Sequence, residues 1–466
     1  MHRIGSRVAA GAPAFVTFAS DVPVTPPVHR LLPAVTPPAE QPRNLVQPST
    51  LRDLAPPPQG GLIYHAYQTH SDLLWPLRAV AKNALPALNR VHDIPGEDTA
   101  LRKLAAACEV FVLAELTHER PPFGIDKVIS GGEEVGVVEE AAYATPFATL
   151  VHLRKSSADP GPRVLIVAPM SGHFATLLRD TARTMLVDHD VYITDWHNAR
   201  NVPLMAGRFG LDEYIEHVMR FLGVIGPPVH LMAICQPCVA ALAAVALMSE
   251  DDHPATPASL TLMAGPIDCR VSPTEVNKLA TDKPIDWFEQ HLISTVPLRY
   301  SGALRKVYPG FLQLMAFMSM NLDRHLDSFR NLFHDLVSGE TDKADATKTF
   351  YKEYFAVCDL PAEFYLETVR IVFQEYALAT GTLTWRGRKV DPAAIRSTAL
   401  LTVEGERDDI CSLGQTLAAH DLCSGLRGYL KTHYVQAGAG HYGVFSGKRW
   451  SGSICPVVRE TIQMAG

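Results

Sequence analysis

From Glu133 onward the chain alternates short apolar runs with longer stretches whose apolar residues recur every three or four positions. The short runs fit strands buried on both faces of a parallel sheet, and the periodic stretches fit helices packed over it. Val135–Glu140 and Ala148–Arg154 predict an opening hairpin. Arg163–Pro169 (RVLIVAP) and Val191–Trp196 (VYITDW) predict two buried strands, with a helix over Thr176–Leu186 between them. A helix over Asp212–Leu222, a strand over Val229–Ile234, an apolar helix from about Cys238 and a strand over Leu260–Ala264 follow. Strands alternating with helices predict an α/β architecture, a mostly parallel doubly wound sheet with helices on both faces.

A long helical stretch then interrupts the alternation, with helices expected over Ile285–Leu292, Gly310–Met320, His325–Leu336, Thr347–Ala356 and Ala362–Tyr376. The sheet pattern returns at Ala399–Glu404 (ALLTVE) and His433–Ala437, and Ser453–Gln463 closes the chain as a helix. This divides the chain into a core over 61–268, a helical cap or lid over 269–397 and the remainder of the core over 398–466. Ahead of the sheet, Leu62–Arg90 reads as a helix interrupted at Pro76 and Pro86, either packed on the domain surface or forming an arm toward an external apolar surface. A second helix, Asp98–His118, carries Cys108 on its apolar stripe. Residues 1–60 are Pro-rich and poor in acids, the composition of a disordered tail; a transit peptide or an over-long start are the alternatives.

Composition narrows the function. The 466 residues are 47% hydrophobic and 20% charged, as in a soluble globular protein. A net charge of −7 offers no footprint for nucleic acid. No apolar run reaches the roughly 18 residues of a transmembrane segment. Eight scattered cysteines without a secretory signal point to a reducing cytoplasm.

The stretch VHLMAICQPCVAALAAVALM (Val229–Met248) carries the chemistry. A strand turning sharply into a helix with a nucleophile at the corner is a nucleophile elbow, here with Cys235 as nucleophile. A helix N-terminus beside the sulfur favours the thiolate. The same residues spell C-x-x-C, so a thiol oxidoreductase is the rival reading. Against it, Asp408 follows the strand ending at Glu404, and His441 follows the last strand. Nucleophile, acid and histidine in that order, each after a strand, define the expected triad Cys235, Asp408 and His441. Asp268 and Asp409 are the alternative acids. Backbone N–H groups of Gln236 and Met170 are expected to form the oxyanion hole. Ser171 and His173 are read as shaping the adjacent turn, and Cys238 as packing. Acyl transfer on this plan requires no metal and no cofactor.

The segments VHLMAICQPCVAALAAVALM, VYPGFLQLMAFMSMNLDRH, FYKEYFAVCDLPAEFYLETV, TVEGERDDIC and AGHYGVFSG resemble the intracellular poly(3-hydroxybutyrate) depolymerases, from about residue 62 to the C-terminus. The resemblance implies an α/β-hydrolase fold with a helical cap inserted before the acid-bearing strand. It also implies cytoplasmic action on amorphous polyhydroxyalkanoate at the surface of storage granules, with Cys235, Asp408 and His441 in the catalytic roles. Water or a thiol such as coenzyme A would accept the acyl group. The Met-rich stretch Gly310–Met320 reads by default as a buried helix; the alternative is an adaptable apolar surface facing the polymer, with Phe311, Met315, Phe317 and Met318 as the substrate-binding residues. Cys238 and Cys411 depart from the family pattern. Polyester synthases, the nearest rival enzymes, usually keep glycines where this elbow has Ala233 and Pro237. A granule-coating protein without activity is the non-enzymatic alternative. A homo-oligomer is compatible with all of these readings.

Overall fold

The computed structural model describes residues 61–92, 99–157 and 159–466, so the expected disordered tail over 1–60 lies outside the described residues. Nine strands form the main sheet: β1 (Lys127–Ser130), β2 (Glu133–Ala144), β3 (Ala148–Lys155), β4 (Arg163–Val167), β5 (Asp190–Trp196), β6 (Val229–Ile234), β7 (Ser259–Met263), β8 (Ala399–Gly405) and β9 (Lys431–Gln436). Their order is β1-β2-β3-β5-β4-β6-β7-β8-β9. The first three strands join antiparallel, and β5, β4, β6, β7, β8 and β9 run parallel. Six parallel strands therefore end at one edge, where their following loops converge.

Alternation along the strands builds two cores. Val229, Leu231 and Ala233 of β6 join the cluster containing Tyr214, Phe221 and the Cys238–Met248 stretch. Met232 and Ile234, pointing the other way, join Met185, Trp450, Val458 and Ile462. Leu165 and Val167 against Val164 and Ile166 repeat this division on β4. Because both sheet faces are covered, these strands read as continuous apolar runs. The helix Cys238–Glu250 follows the same logic: every residue from Cys238 to Met248 is buried, which explains why it is apolar all round.

The cap region is largely helical, as expected, with short strands added. It contains a small antiparallel sheet of Leu360–Pro361, Lys306–Tyr308 and Ser294–Thr295. Two helices fall where the sequence pattern predicts them, Ile285–Leu292 and Gly310–Met320. The expected helix Ala362–Tyr376 instead runs as an α-helix only to Glu367, then widens into a π-helical turn over Thr368–Gln374. This second half of the insertion packs into the main core. Phe364 stacks on Tyr214 with ring centroids 5.0 Å apart, and Trp385 Nε1 donates to the Asp212 carbonyl at 3.0 Å. The described residues accordingly form one compact unit with the cap included.

The expected interruptions at Pro76 and Pro86 are absent, and the first helix runs unbroken from Gly61 to His92. Pro76, Pro86 and the residues four positions before them, Asp72 and Lys82, are all exposed. Carbonyls that lose their intrahelical donor there face water, which lowers the cost of keeping the helix continuous. Tyr64 and Tyr67 near its start anchor it against Phe311, the latter ring stacked at 4.0 Å.

One glycine is required by close approach. A Cβ at Gly265, just after β7, would lie 2.2 Å from Cys238 Sγ and 2.3 Å from Cys238 Cβ. Gly265→Ala is expected to destabilise the protein by roughly 2 kcal/mol or more through overpacking beneath the elbow. Chemical denaturation of the variant against the parent chain checks this.

Candidate active site

Strand β6 ends at Ile234, and Cys235 takes φ +68, in the left-handed region. For a residue with a side chain this conformation costs about 1–2 kcal/mol, and strain of this kind concentrates at functional sites. The corner is pinned from two sides. Cys235 N–H donates to the Met263 carbonyl at 2.7 Å, and the Cys235 carbonyl accepts from Cys238 N–H at 3.1 Å. The turn leaves Cys235 partly exposed and Cys238 buried.

His441 opens the short turn after β9 and is buried. Its Nδ1 lies 2.8 Å from Asp408 Oδ2, so the proton on that nitrogen is donated to the carboxylate. The other Asp408 oxygen accepts from the N–H groups of Ile410 at 2.9 Å and Cys411 at 2.8 Å. Cys235 packs against the same core as the loop that carries His441. Burial by itself would lower the pKa of His441. The electrostatic influence of Cys235 and Asp408 outweighs it and holds the ring well above its ordinary value. The fold thus joins His441 to Asp408 by a hydrogen bond and brings Cys235 close enough to act on the same ring.

The alternative acids are placed elsewhere. Asp268 is engaged by Arg270, at 2.9 and 2.8 Å, and the guanidinium hydrogen bonds hold its carboxyl below the usual range. Asp409 is exposed. Burial pushes the Cys238 thiol far above its ordinary pKa, the reverse of what a C-x-x-C redox pair needs. All eight cysteines, all among the described residues, are free thiols.

At the expected oxyanion site, Met170 N–H donates to the side-chain Oε1 of Gln236 at 3.3 Å. Met170 and Gln236 are therefore neighbours, and a carbonyl oxygen from the protein itself occupies one of the two expected donors. His173 does not join the chain of proton carriers. Its Nε2 meets the Tyr354 carbonyl at 3.2 Å, its ring stacks on Tyr354, and burial lowers its pKa to about 4. The turn carrying it is strapped to the cap, since Cys358 N–H donates to the Gly172 carbonyl at 2.9 Å.

The four residues expected to hold substrate separate into three environments. Phe311 is enclosed by Tyr64, Tyr67, Ala199, Val296 and Val307, so it is a packing residue rather than an open lining residue. Phe317 and Met318 are half-buried beside Leu314, Tyr354 and Tyr442, the residue next to His441. Met315 is 57% exposed.

Sequence reading missed Glu404. This carboxylate is fully buried at the end of β8 and accepts backbone N–H groups from Gly414, Thr416 and Leu417 at 2.8–3.0 Å. It holds the loop that follows Asp408. Thr416, fixed in this way, exchanges hydrogen bonds with the backbone of Gly265 at 2.8 and 3.0 Å. The available signal was an acid ending an otherwise apolar strand.

The strand order, the strained corner after β6 and the acid and histidine after β8 and β9 define an α/β-hydrolase. The family model described as "PHB de-polymerase C-terminus" matches residues 264–465, a span that includes the cap, Asp408 and His441 but not Cys235. Residues 264–465 are thus similar to the C-terminal part of PHB depolymerases, on a chain whose fold is that of an α/β-hydrolase. No curated protein matches it in sequence. Among solved structures, it is similar to 2-hydroxy-6-oxo-6-phenylhexa-2,4-dienoate hydrolase from a Rhodococcus species, at 12% identity and TM-score 0.37, covering 71% of this chain and 99% of that one. A thermophilic esterase from Thermogutta terrifontis matches at 14% identity and TM-score 0.35, covering 72% and 98%. A meta-cleavage product hydrolase from Pseudomonas fluorescens matches at 12% identity and TM-score 0.36, covering 73% and 98%.

Two outcomes test this geometry. Cys235→Ala removes the larger of the two charges that favour protonated His441, so the ring pKa should fall; Asp408→Asn should lower it as well. Ring titration by NMR reads both. Because the folded-state pKa is raised, the stabilisation from this proton is complete below the unfolded value and is lost as pH rises through the folded one. Gln236→Ala keeps the backbone donor but frees Met170 N–H. With about 1 kcal/mol for the hydrogen bond that substrate no longer displaces, KM for a small ester should fall about fivefold at little change in kcat.

Proposed function

We propose that this protein is an intracellular polyhydroxyalkanoate depolymerase, cleaving ester bonds of amorphous poly(3-hydroxybutyrate) through an acyl-cysteine intermediate. The observation that carries the reading is the Cys235–His441–Asp408 chain at the elbow, joined to a cap and acid loop that match a PHB depolymerase family model. His441 takes the thiol proton as Cys235 Sγ attacks the ester carbonyl, and Asp408 stabilises the imidazolium that forms. The bound ester carbonyl displaces the Gln236 carboxamide oxygen, and the developing oxyanion is then held by the N–H groups of Met170 and Gln236. Collapse expels the alkoxide, which receives the proton from His441. The thioester is then resolved by water or by a thiol such as coenzyme A, with His441 as base; no metal or bound cofactor enters these steps.

Half-buried Phe317 and Met318, beside Tyr442, supply an adaptable apolar surface for a polyester segment. Among the described residues no helix is long and apolar enough to cross a membrane, and the proposed site of action is the surface of cytoplasmic storage granules.

Purified protein incubated with native amorphous granules should release 3-hydroxybutanoate or its short oligomers, or the coenzyme A thioester when that thiol is the preferred acceptor. Cys235→Ala should abolish release while leaving circular dichroism unchanged, and full activity in that variant would sink the assignment. Cys238→Ala should keep most of the activity; comparable loss there would restore the redox reading. Granule binding without release would leave a coating protein.

A further inference from the structure

A second site lies away from the catalytic chain. Arg200 sits in the short turn Ala199–Asn201 after β5, and only 8% of its surface is exposed. Its Nη1 is buried with no hydrogen-bond partner, and among the described residues no carboxylate lies within ion-pair distance of it. Its guanidinium packs on the face of Tyr300, 3.7 Å from the ring centroid. The neighbouring buried acid, Asp359, is committed elsewhere. Its oxygens accept from Tyr64 Oη at 2.6 Å and Gly310 N–H at 2.9 Å, and burial holds its carboxyl above the usual range. Leaving a guanidinium unpaired in the protein interior costs several kcal/mol, so a cation kept in this state calls for an anionic partner.

Arg200 lines a cavity of about 330 Å³ together with Tyr67, Ser71, Trp75, Arg299 and Tyr300. Neither Cys235 nor His441 borders it. The charges of the wall set the class of ligand. Arg299 is paired with Asp72, at 2.8 and 3.0 Å, and a second acid, Glu119, stands exposed at the rim. Arg200 is therefore the lining arginine without an ion-pair partner among the described residues, and with an acid at the rim the wall suits a monoanion better than a doubly charged phosphate. The aromatic walls suit a short hydrocarbon body, and a planar guanidinium suits a carboxylate.

We propose that this cavity is a binding site for a small organic monocarboxylate, held by Arg200 and enclosed by the rings of Tyr67, Trp75 and Tyr300. The inference does not depend on the depolymerase reading. If that reading holds, the hydroxy acid released at Cys235 is one source of the ligand.

Titration calorimetry and thermal shift on the full chain test the proposal, with butanoate, 3-hydroxybutanoate and inorganic phosphate as probes. Cys235→Ala serves as the background, so that turnover at the active site plays no part. One or both carboxylates should bind saturably and raise the melting temperature, and phosphate should not. Preference for 3-hydroxybutanoate over butanoate would identify the product of ester cleavage as the ligand; equal binding would identify short carboxylates in general. Arg200→Met should weaken binding by about tenfold or more. Ser71→Phe fills the cavity while leaving Arg200 in place, and should do the same even if the Arg200 variant folds poorly. Absence of saturable carboxylate binding, binding that survives both substitutions, or tighter binding of phosphate would overturn the proposal. Granule hydrolysis is read separately, so either conclusion can fail without the other.

Discussion

The geometry of the candidate site depends on a cysteine held in a backbone conformation that most residues avoid. Cys235 stays at φ +68 because the two ends of its corner are tied down, one by the Met263 carbonyl and one by its own helix. Strain of about 1–2 kcal/mol persists only where the surroundings over-determine the geometry. Here the surroundings are a buried six-residue strand on one side and a helix buried from Cys238 to Met248 on the other. The absence of a side chain at Gly265 lets that helix come close enough. The position of the sulfur is a property of the whole sheet rather than of a loop.

A parallel sheet then solves the remaining geometric problem. Strands β6, β8 and β9 end at the same edge, so residues far apart in sequence meet without long excursions of chain. The acid comes from an irregular loop, and that loop is held by burying a second carboxylate beneath it. Glu404 gathers three backbone N–H groups, while Asp408 spends one oxygen on two others and keeps the second for His441. Ordering the loop and aiming Asp408 at His441 are thus parts of one network.

The β-strands and the meeting of acid and histidine were legible because both follow from periodicity and order. Val229–Ile234, Ile285–Leu292 and Gly310–Met320 keep their predicted bounds, and Asp408 meets His441 as their placement after strands implied. What was hidden depended on tertiary context. Pro76 and Pro86 read as breaks because local propensity cannot see that the carbonyls they orphan face water. Phe311 read as a substrate contact because a Met- and Phe-rich stripe does not reveal which side meets Tyr64 and Tyr67. The π-helical turn at Thr368–Gln374 has the periodicity of a helix and an abnormal hydrogen-bond ladder, which no apolar pattern encodes. Glu404 and the unpaired Arg200 were invisible for a related reason: a buried charge is recognised by its partners, or by their absence, and those come from distant parts of the chain.

The contact between Met170 N–H and the Gln236 carboxamide has a consequence for selectivity. The carboxamide is an intramolecular competitor, and displacing it costs about 1 kcal/mol. On the proposed depolymerase reading, a small ester evicts it with little binding energy to spare. A long, multiply anchored polyester segment brings contacts outside the reacting centre and covers that cost from them. The resting contact would then weigh against short substrates more than against long ones.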